Sequence, residues 1–148
     1  AEGNNLNTGR YDVQGFGIQT AAVAAGGIST AGIANVEHYD GTSWTNATAL
    51  ANPQRAGNAC GTQTAGLIFG GLVGPSEAKS GLTQGYDGTS WSTRPSMATS
   101  RVQMSPAHAG SSTSTFAAGG SIMNPTTNAT EEFTGETETV TASTLTTS

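Results

Sequence analysis

Charged residues are scarce in this chain. It has 10 acidic and 5 basic side chains among 148 residues, or 10% charged, against a usual share of about 25%. Long solvent-exposed helices depend on Glu, Lys and Arg, so this scarcity argues against them. The basic residues are scattered: Arg10, Arg55, Lys79, Arg94 and Arg101. Nucleic-acid binding needs a basic face for the phosphates, so we expect no nucleic-acid partner.

Cysteine and long apolar runs are also nearly absent. Cys60 is the single cysteine, which excludes an intrachain disulfide and a cysteine-based zinc site. The longest apolar candidate, residues 20–33, contains the pair Gly26 and Gly27 and is shorter than the roughly 20 residues of a membrane span. The sequence starts with Ala and shows no signal-peptide pattern. From this we expect a processed or excised piece of a longer chain, with no membrane partner.

Glycine, by contrast, is abundant, at 21 of 148 residues, and Thr, Ser, Ala and Asn supply much of the rest. This composition suits short strands joined by tight turns. Disordered chains usually combine high net charge with few aromatic residues. Here the formal charge is −5 and the aromatic residues recur at fixed positions, so we expect an ordered all-β structure.

One phrase, YDGTSW, occurs twice, at residues 39–44 and 86–91, and it contains both Trp residues of the chain. Its Asp-Gly step supplies the positive-φ positions of a tight hairpin turn. Around it four anchors recur three times: an Arg, a small polar turn, a short apolar run that ends in a Gly pair, and an aromatic residue. The aromatic positions Tyr39, Tyr86 and Phe133 are 47 residues apart, a spacing typical of repeat architectures.

Each repeat predicts a small antiparallel sheet of four short strands. Such a sheet cannot bury both faces alone, so it must stack on its neighbours, as in a propeller. We expect one repeat array over residues 1–148, with units at about 1–47, 48–94 and 95–148. The third unit is degenerate, because Glu138 stands where the first two have Trp. We expect its Thr-rich end to form a last strand or cap with Val140 and Leu145 as buried contacts.

The apolar run ending in Gly-Gly, followed by a loop, Tyr-Asp and a Trp five residues after the Tyr, resembles the kelch motif of β-propellers. A narrower likeness is to tandem repeat proteins with YDGTSW, TQTA and FGG phrases, encoded by tailed phages of aquatic bacteria. The resemblance implies kelch-like four-stranded blades and a structural or adhesive role in an extracellular or virion assembly. The residues that carry it are Gly26, Gly27, Tyr39, Trp44, Gly70, Gly71, Tyr86, Trp91, Gly119, Gly120 and Phe133.

The motif residues are predicted to be structural. The Tyr and Trp side chains should pack between adjacent sheets, because aromatic residues bury about 150–250 Å² each and these sheets hold few other large side chains. The Gly pairs should allow backbone shapes or close approaches that other residues do not.

The recurring Arg, at Arg10, Arg55 and Arg101, allows two interpretations. In the structural one it bonds to carbonyls or an Asp of a neighbouring sheet. In the functional one the three Arg residues line an axial opening and bind an anion or a sugar. The second case makes the protein a glycan-binding propeller, a lectin, that holds a cell-surface glycan between sheets with Trp44, Trp91 and the Arg residues.

No catalytic, cofactor or metal site is expected. His38 and His108 occupy non-equivalent repeat positions, Cys60 falls in an apolar strand position, and Asp40 and Asp87 belong to DGTS turns. The acidic residues, Glu131 and Glu132 among them, show no paired catalytic carboxylates at a shared locus. Some kelch propellers are copper oxidases, but the ligand set they require is missing here. We therefore expect a non-enzymatic protein without a cofactor.

Three units are too few for a closed propeller, which typically has four to eight blades. The open sheet faces that remain would leave apolar residues such as those at 67–69 near solvent and favour association. We expect two copies to close a six-bladed ring, with a larger or helical assembly as the alternative. Asn46 and Asn128 begin N-x-T sequons, which matter only in a host that glycosylates them.

Overall fold

The computed structural model describes residues 3–76, 78–106, 109–121 and 126–135, and all regular secondary structure in these ranges is β-strand. The predicted all-β class is therefore confirmed. The strands are β1 (Gln14–Ile18), β2 (Ala21–Ala25), β3 (Val36–Tyr39), β4 (Trp44–Ala47), β5 (Gln54–Arg55), β6 (Asn58–Thr62), β7 (Ala65–Phe69), β8 (Leu72–Val73), β9 (Ala78–Lys79), β10 (Thr83–Tyr86), β11 (Trp91–Arg94), β12 (Ser105–Pro106), β13 (Ser114–Ala118) and β14 (Thr130–Thr134).

The strands form four antiparallel sheets. Sheet 1 has the order β1-β2-β3-β4, sheet 2 the order β6-β7-β10-β11 and sheet 3 the order β12-β13-β14. In a small fourth sheet, β5-β8-β9, strands β8 and β9 follow the Gly pair of the second repeat and β5 precedes it. Among the described residues these sheets close neither a barrel nor a propeller ring. The expected last strand of the third repeat, with Glu138, Val140 and Leu145, lies outside the described residues, as does His108.

Sheets 1, 2 and 3 stack in chain order around two apolar clusters. The cluster between sheets 1 and 2 contains Phe16, Val23, Ala25, Val36, Leu50, Ala59, Ile68 and Tyr86. The cluster between sheets 2 and 3 contains Cys60, Leu67, Phe69, Met104 and Ala117. Strand β7 contributes to both clusters, because successive side chains of a strand point to opposite faces. Sheet 2 is therefore covered on both sides.

Each sheet has two faces, which we name by their repeat-equivalent residues. The front face carries the aromatic position, occupied by Tyr39, Tyr86 or Phe133, and the back face lies opposite. The back face of sheet 1 packs on the front face of sheet 2, and the back face of sheet 2 packs on the front face of sheet 3. The front face of sheet 1 and the back face of sheet 3 are thus the two end faces of the stack.

Each Gly pair follows the second strand of its sheet, where the chain turns away before it returns as the next strand of that sheet. Gly26 and Gly27 have φ angles of 63° and 103°, which L side chains rarely adopt. A side chain at Gly26 would overlap the carbonyl of Gln54, and the Gly27 amide donates to that carbonyl at 3.0 Å. The pairs in the other two repeats also have positive φ angles. Glycine is needed here both for the turn and for the close approach.

The repeated DGTS phrase forms a tight turn whose Asp side chain organises the backbone. Oδ1 of Asp40 accepts hydrogen bonds from the amides of Thr42 and Ser43, both at 2.7 Å. Asp87 makes the equivalent bonds in sheet 2. The amide of the Ser in each turn is the main cause that lowers the pKa of each Asp. The turn ends where the Trp begins the last strand of its sheet.

Candidate functional site

The aromatic residues of the second repeat lie between sheets 1 and 2. The rings of Tyr86 and Trp91 stack on the front face of sheet 2 with their centroids 4.6 Å apart. Phe16, from the back face of sheet 1, meets Trp91 edge-on at 6.3 Å. Its ring covers Gly66, where any side chain would overlap it. Nε1 of Trp91 donates to the carbonyl of Thr48 at 3.0 Å, so the polar end of the indole is satisfied too.

The same aromatic pair in the first repeat lies on an end face. Tyr39 and Trp44 have ring centroids 4.9 Å apart, and Nε1 of Trp44 donates to the carbonyl of Asn4 at 3.2 Å. Both rings are half-buried, and they cover the front face of sheet 1. In the third repeat Phe133 packs against the cluster between sheets 2 and 3. The two Trp residues therefore have equivalent local partners in different surroundings.

A polar contact crosses the interface between sheets 1 and 2. Nε2 of His38 lies 2.9 Å from the hydroxyl of Tyr86, which donates its proton to the carbonyl of Gly88 at 2.9 Å. A phenol has one proton, so both contacts are satisfied when His38 donates from Nε2. Burial lowers the pKa of His38 and is the main cause that raises the pKa of Tyr86. This His therefore serves packing between the sheets.

The prediction that three Arg residues occupy equivalent repeat positions is wrong for Arg55. Three non-glycine residues with positive φ angles, Asp12, Ala56 and Gln103, mark equivalent points of the three repeats. Each lies two residues after the Arg position, which makes Gln54 the equivalent of Arg10 and Arg101. The backbone agrees, because Gly27 donates to the carbonyl of Gln54 and Gly71 donates to that of Arg101. In the sequence NPQR, Arg55 comes one residue after the true equivalent, Gln54.

The Arg residues of the first and third repeats form ion pairs with a Glu of the third strand of their sheets. Nη1 of Arg10 lies 2.9 Å from Oε1 of Glu37, and both side chains are fully buried. Nη2 of Arg101 lies 2.5 Å from Oε1 of Glu131, and Nη1 of Arg101 donates to the carbonyl of Ala129 at 2.7 Å. The carboxylates also accept backbone amides, as from Asn7 to Glu37 at 2.7 Å. These side chains hold the segment before each sheet against the sheet.

The second repeat replaces this ion pair with two glutamines. Nε2 of Gln84 donates to Oε1 of Gln54 at 2.7 Å, and Nε2 of Gln54 donates to the carbonyl of Gly70 at 2.7 Å. Both side chains are buried. These partners are not among the residues predicted from the sequence, although the sequence contains a signal for them. Glu37, Gln84 and Glu131 are 47 residues apart, and each lies two residues before the aromatic position.

Arg55 has a different role from the other two Arg residues. Its Nη1 lies 2.7 Å from Oδ2 of Asp12 in the preceding repeat, and both side chains are partly exposed. The pair lies beside a groove of about 360 Å³, which Gln103 also lines. Among the described residues this groove is where an Arg proposed for ligand binding meets open space.

Cys60 occupies the back-face position equivalent to Phe16 and is 1% exposed. Burial is the main cause that raises the pKa of its thiol, which suppresses the reactive thiolate.

Between sheets 2 and 3, near the aromatic position Phe133, a cavity of about 160 Å³ has Leu67, Phe69 and Met97 among its walls. Asn46 and Asn128 of the two sequons are exposed.

No group of three or more His, Cys, Asp or Glu residues that could hold a metal ion occurs in the described ranges. Those ranges also hold no helix of the length and apolarity that a membrane crossing requires. Comparison with models of known protein families finds none that matches this chain, and no curated protein matches it either.

Proposed function

We propose that this chain is a non-enzymatic structural or adhesive repeat module of an extracellular or virion assembly, built from kelch-like propeller sheets. The observation that carries the proposal is the stacking of the sheets. Sheet 2 is covered on both faces by its neighbours. Of the two end faces of the stack, one is a front face and the other is a back face, like the faces that pack together inside it. A stack of this kind can be extended, which suits a part whose purpose is assembly.

The use of the polar residues supports a structural role. Arg10 and Glu37 are buried together, and the indole nitrogens of Trp44 and Trp91 donate to backbone carbonyls. Recognition sites usually keep a few polar groups free to converge on a ligand. Here the recurring Arg side chains form ion pairs with Glu37 and Glu131, and the two indoles donate to carbonyls within the stack.

Immunogold electron microscopy tests the assembly role. Antibodies raised against the purified chain are applied to particles and extracellular material from the producing culture. We expect gold label on fibres or virion parts, lost when the antibodies are first absorbed with the chain. Label confined to the interior of cells would contradict the proposal.

The groove beside Arg55 favours a second candidate function, that of a lectin. It offers the Arg55–Asp12 pair and Gln103, and side chains of these types bind sugar hydroxyls. A glycan array with the soluble chain tests this, followed by titration of any sugar bound at micromolar or better affinity. Loss of binding in Arg55→Ala, with Arg94→Ala as the matched surface control, would support the groove. Loss in Trp91→Ala without unfolding would support the clefts between sheets.

A further inference from the structure

The two end faces of the stack repeat surfaces that are buried inside it. Phe116 on the back face of sheet 3 is 40% exposed, whereas its equivalents Val23 and Leu67 are 1% and 0% exposed. On the front face of sheet 1, Gly15 is exposed, whereas its equivalent Ala59 is buried. Both end faces thus present residues that in the other repeats lie against a neighbouring sheet.

A glutamine at one end lacks the neighbour that its equivalent has. Nε2 of Gln63, in the β6–β7 turn of sheet 2, donates to the carbonyls of Ala22 and Tyr39 of sheet 1, both at 3.0 Å. Gln19 holds the same place in the β1–β2 turn and is exposed. In each case the Gln follows two residues after a turn glycine, Gly17 or Gly61, with nearly the same φ of 106° or 108°.

Matching acceptors lie at the other end of the stack. Gln63 reaches the carbonyls of a paired couple, Ala22 and Tyr39. The equivalent couple in sheet 3 is Thr115 and Phe133, which are paired in the same register. A sheet 1 placed against the back face of sheet 3 would bring Gln19 to this couple.

We propose that a second copy of this chain docks head to tail, with the front face of its sheet 1 on the back face of sheet 3 of the first copy. The proposal rests on the structural function proposed above and supplies its partner. In this joint Phe116 packs where Leu67 packs inside the chain, and Gln19 donates to the carbonyls of Thr115 and Phe133. Glu132, the equivalent of His38, faces the hydroxyl of Tyr39 as His38 faces that of Tyr86.

Light scattering coupled to size exclusion measures the joint directly. The folded 148-residue chain has a mass of 14.8 kDa. At about 100 μM we expect a species of twice that mass if two joints close a ring, or a concentration-dependent series if they do not. A folded monomer at this concentration would overturn the proposal. So would a monomer that associates only after residues 136–148 are deleted, because the chain itself would then cover the end face.

Two variants test the direction of the joint. Gly15→Glu blocks the front face of sheet 1, and Phe116→Glu blocks the back face of sheet 3. Each alone should weaken association at least tenfold. An equal mixture should regain heterodimers, because one joint between two unaltered faces remains. Undiminished association of either variant, or no recovery on mixing two folded variants, would contradict head-to-tail docking.

The two glutamines give a matched pair of substitutions. Gln19→Ala should weaken association several-fold and leave the unfolding midpoint unchanged at concentrations where both proteins are monomeric. Gln63→Ala, the same chemical change inside the stack, should lower that midpoint and leave association unchanged. The reverse pattern would overturn the assignment of Gln19. A monomeric chain found on virions would sink only this inference, whereas an oligomer absent from extracellular assemblies would sink only the proposed function.

Discussion

The first two sheets have the same strand order and differ in the side chains that they bury. Where sheet 1 joins Arg10 to Glu37, sheet 2 joins Gln54 to Gln84. Both pairs connect the segment before the sheet to its third strand. The difference shows that the fold needs a buried donor and acceptor at this point and does not need charge. A charged pair and a neutral pair differ in desolvation cost, yet each is stable only while both partners are present.

The two sheets also fill their back faces in opposite ways. Phe16 of sheet 1 covers Gly66 of sheet 2, a large side chain on a position without one. The equivalent Cys60 of sheet 2 is small, and its thiol donates to the carbonyl of Ser111 in the third repeat at 3.4 Å. Because interiors are close-packed, a small side chain on one sheet of an interface is matched by a larger one on the facing sheet. The repeats are therefore equivalent in backbone and complementary in volume.

Truncation of Phe16 and of Cys60 should give the largest difference in stability between the two interfaces. Phe16→Ala opens a cavity between sheets 1 and 2 and should lower the free energy of unfolding by about 3–5 kcal/mol. Cys60→Ala removes one heavy atom between sheets 2 and 3 and should cost about 1 kcal/mol. Urea unfolding of both variants measures the difference. Equal losses would mean that the two interfaces do not divide their packing as described.

Breaking one partner of the charged pair comes next. Glu37→Gln leaves Arg10 buried without its carboxylate and should cost about 3 kcal/mol, near the low end for a broken buried ion pair. The double variant Arg10→Gln with Glu37→Gln copies the second repeat and should recover most of the loss, to within about 1 kcal/mol of the native chain. A double-mutant cycle by urea unfolding measures the coupling. Purely additive losses would contradict the equivalence of the two pairs.

Much of this architecture was accessible from the sequence, and its limits have physical causes. Strands that begin at Trp44 and Trp91, and the turns before them, follow from residues that act locally. The partner of Arg10 did not follow, because Glu37 is distant in the chain and its register depends on the alignment of the repeats. Gln54 was not recognised as the equivalent of Arg10 for the same reason, because Arg55 follows it directly. Local turns can be predicted from residues that are close in the chain, but contacts between repeats depend on how the sheets stack.

Glycine at the contact of the two sheets provides a smaller test. Gly66→Ala places a methyl group under the ring of Phe16 and should cost about 2 kcal/mol through overpacking. At the equivalent position on the end face, sheet 1 already has Ala22, and Ala22→Gly should cost at most about 1 kcal/mol. Thermal unfolding of the two variants compares them. If Gly66→Ala were as stable as the native chain, the ring of Phe16 could not lie over Gly66 as described.

The smallest expected effect is a pH dependence that sheet 1 brings to the interface through His38. Burial lowers the pKa of His38 below its usual value of about 6.5. Between the two pKa values the unfolded chain binds more protons, so stability rises with pH there. The contribution is complete above about pH 6.5 and is lost as the pH falls through the folded pKa. Sheet 2 has Gly85 at the equivalent position and adds no such dependence.

Unfolding midpoints of the native chain and His38→Gln, measured from pH 7.5 to 5, isolate this contribution. The native chain should lose stability relative to His38→Gln as the pH falls. Asp40 and Asp87 do not interfere, because their pKa values are lowered below the usual value of 3.8 and they stay ionised over this range. Parallel curves for the two proteins would show that His38 is as well solvated in the folded chain as in the unfolded one. The contact between His38 and Tyr86 would then stabilise the charged and the neutral imidazole equally.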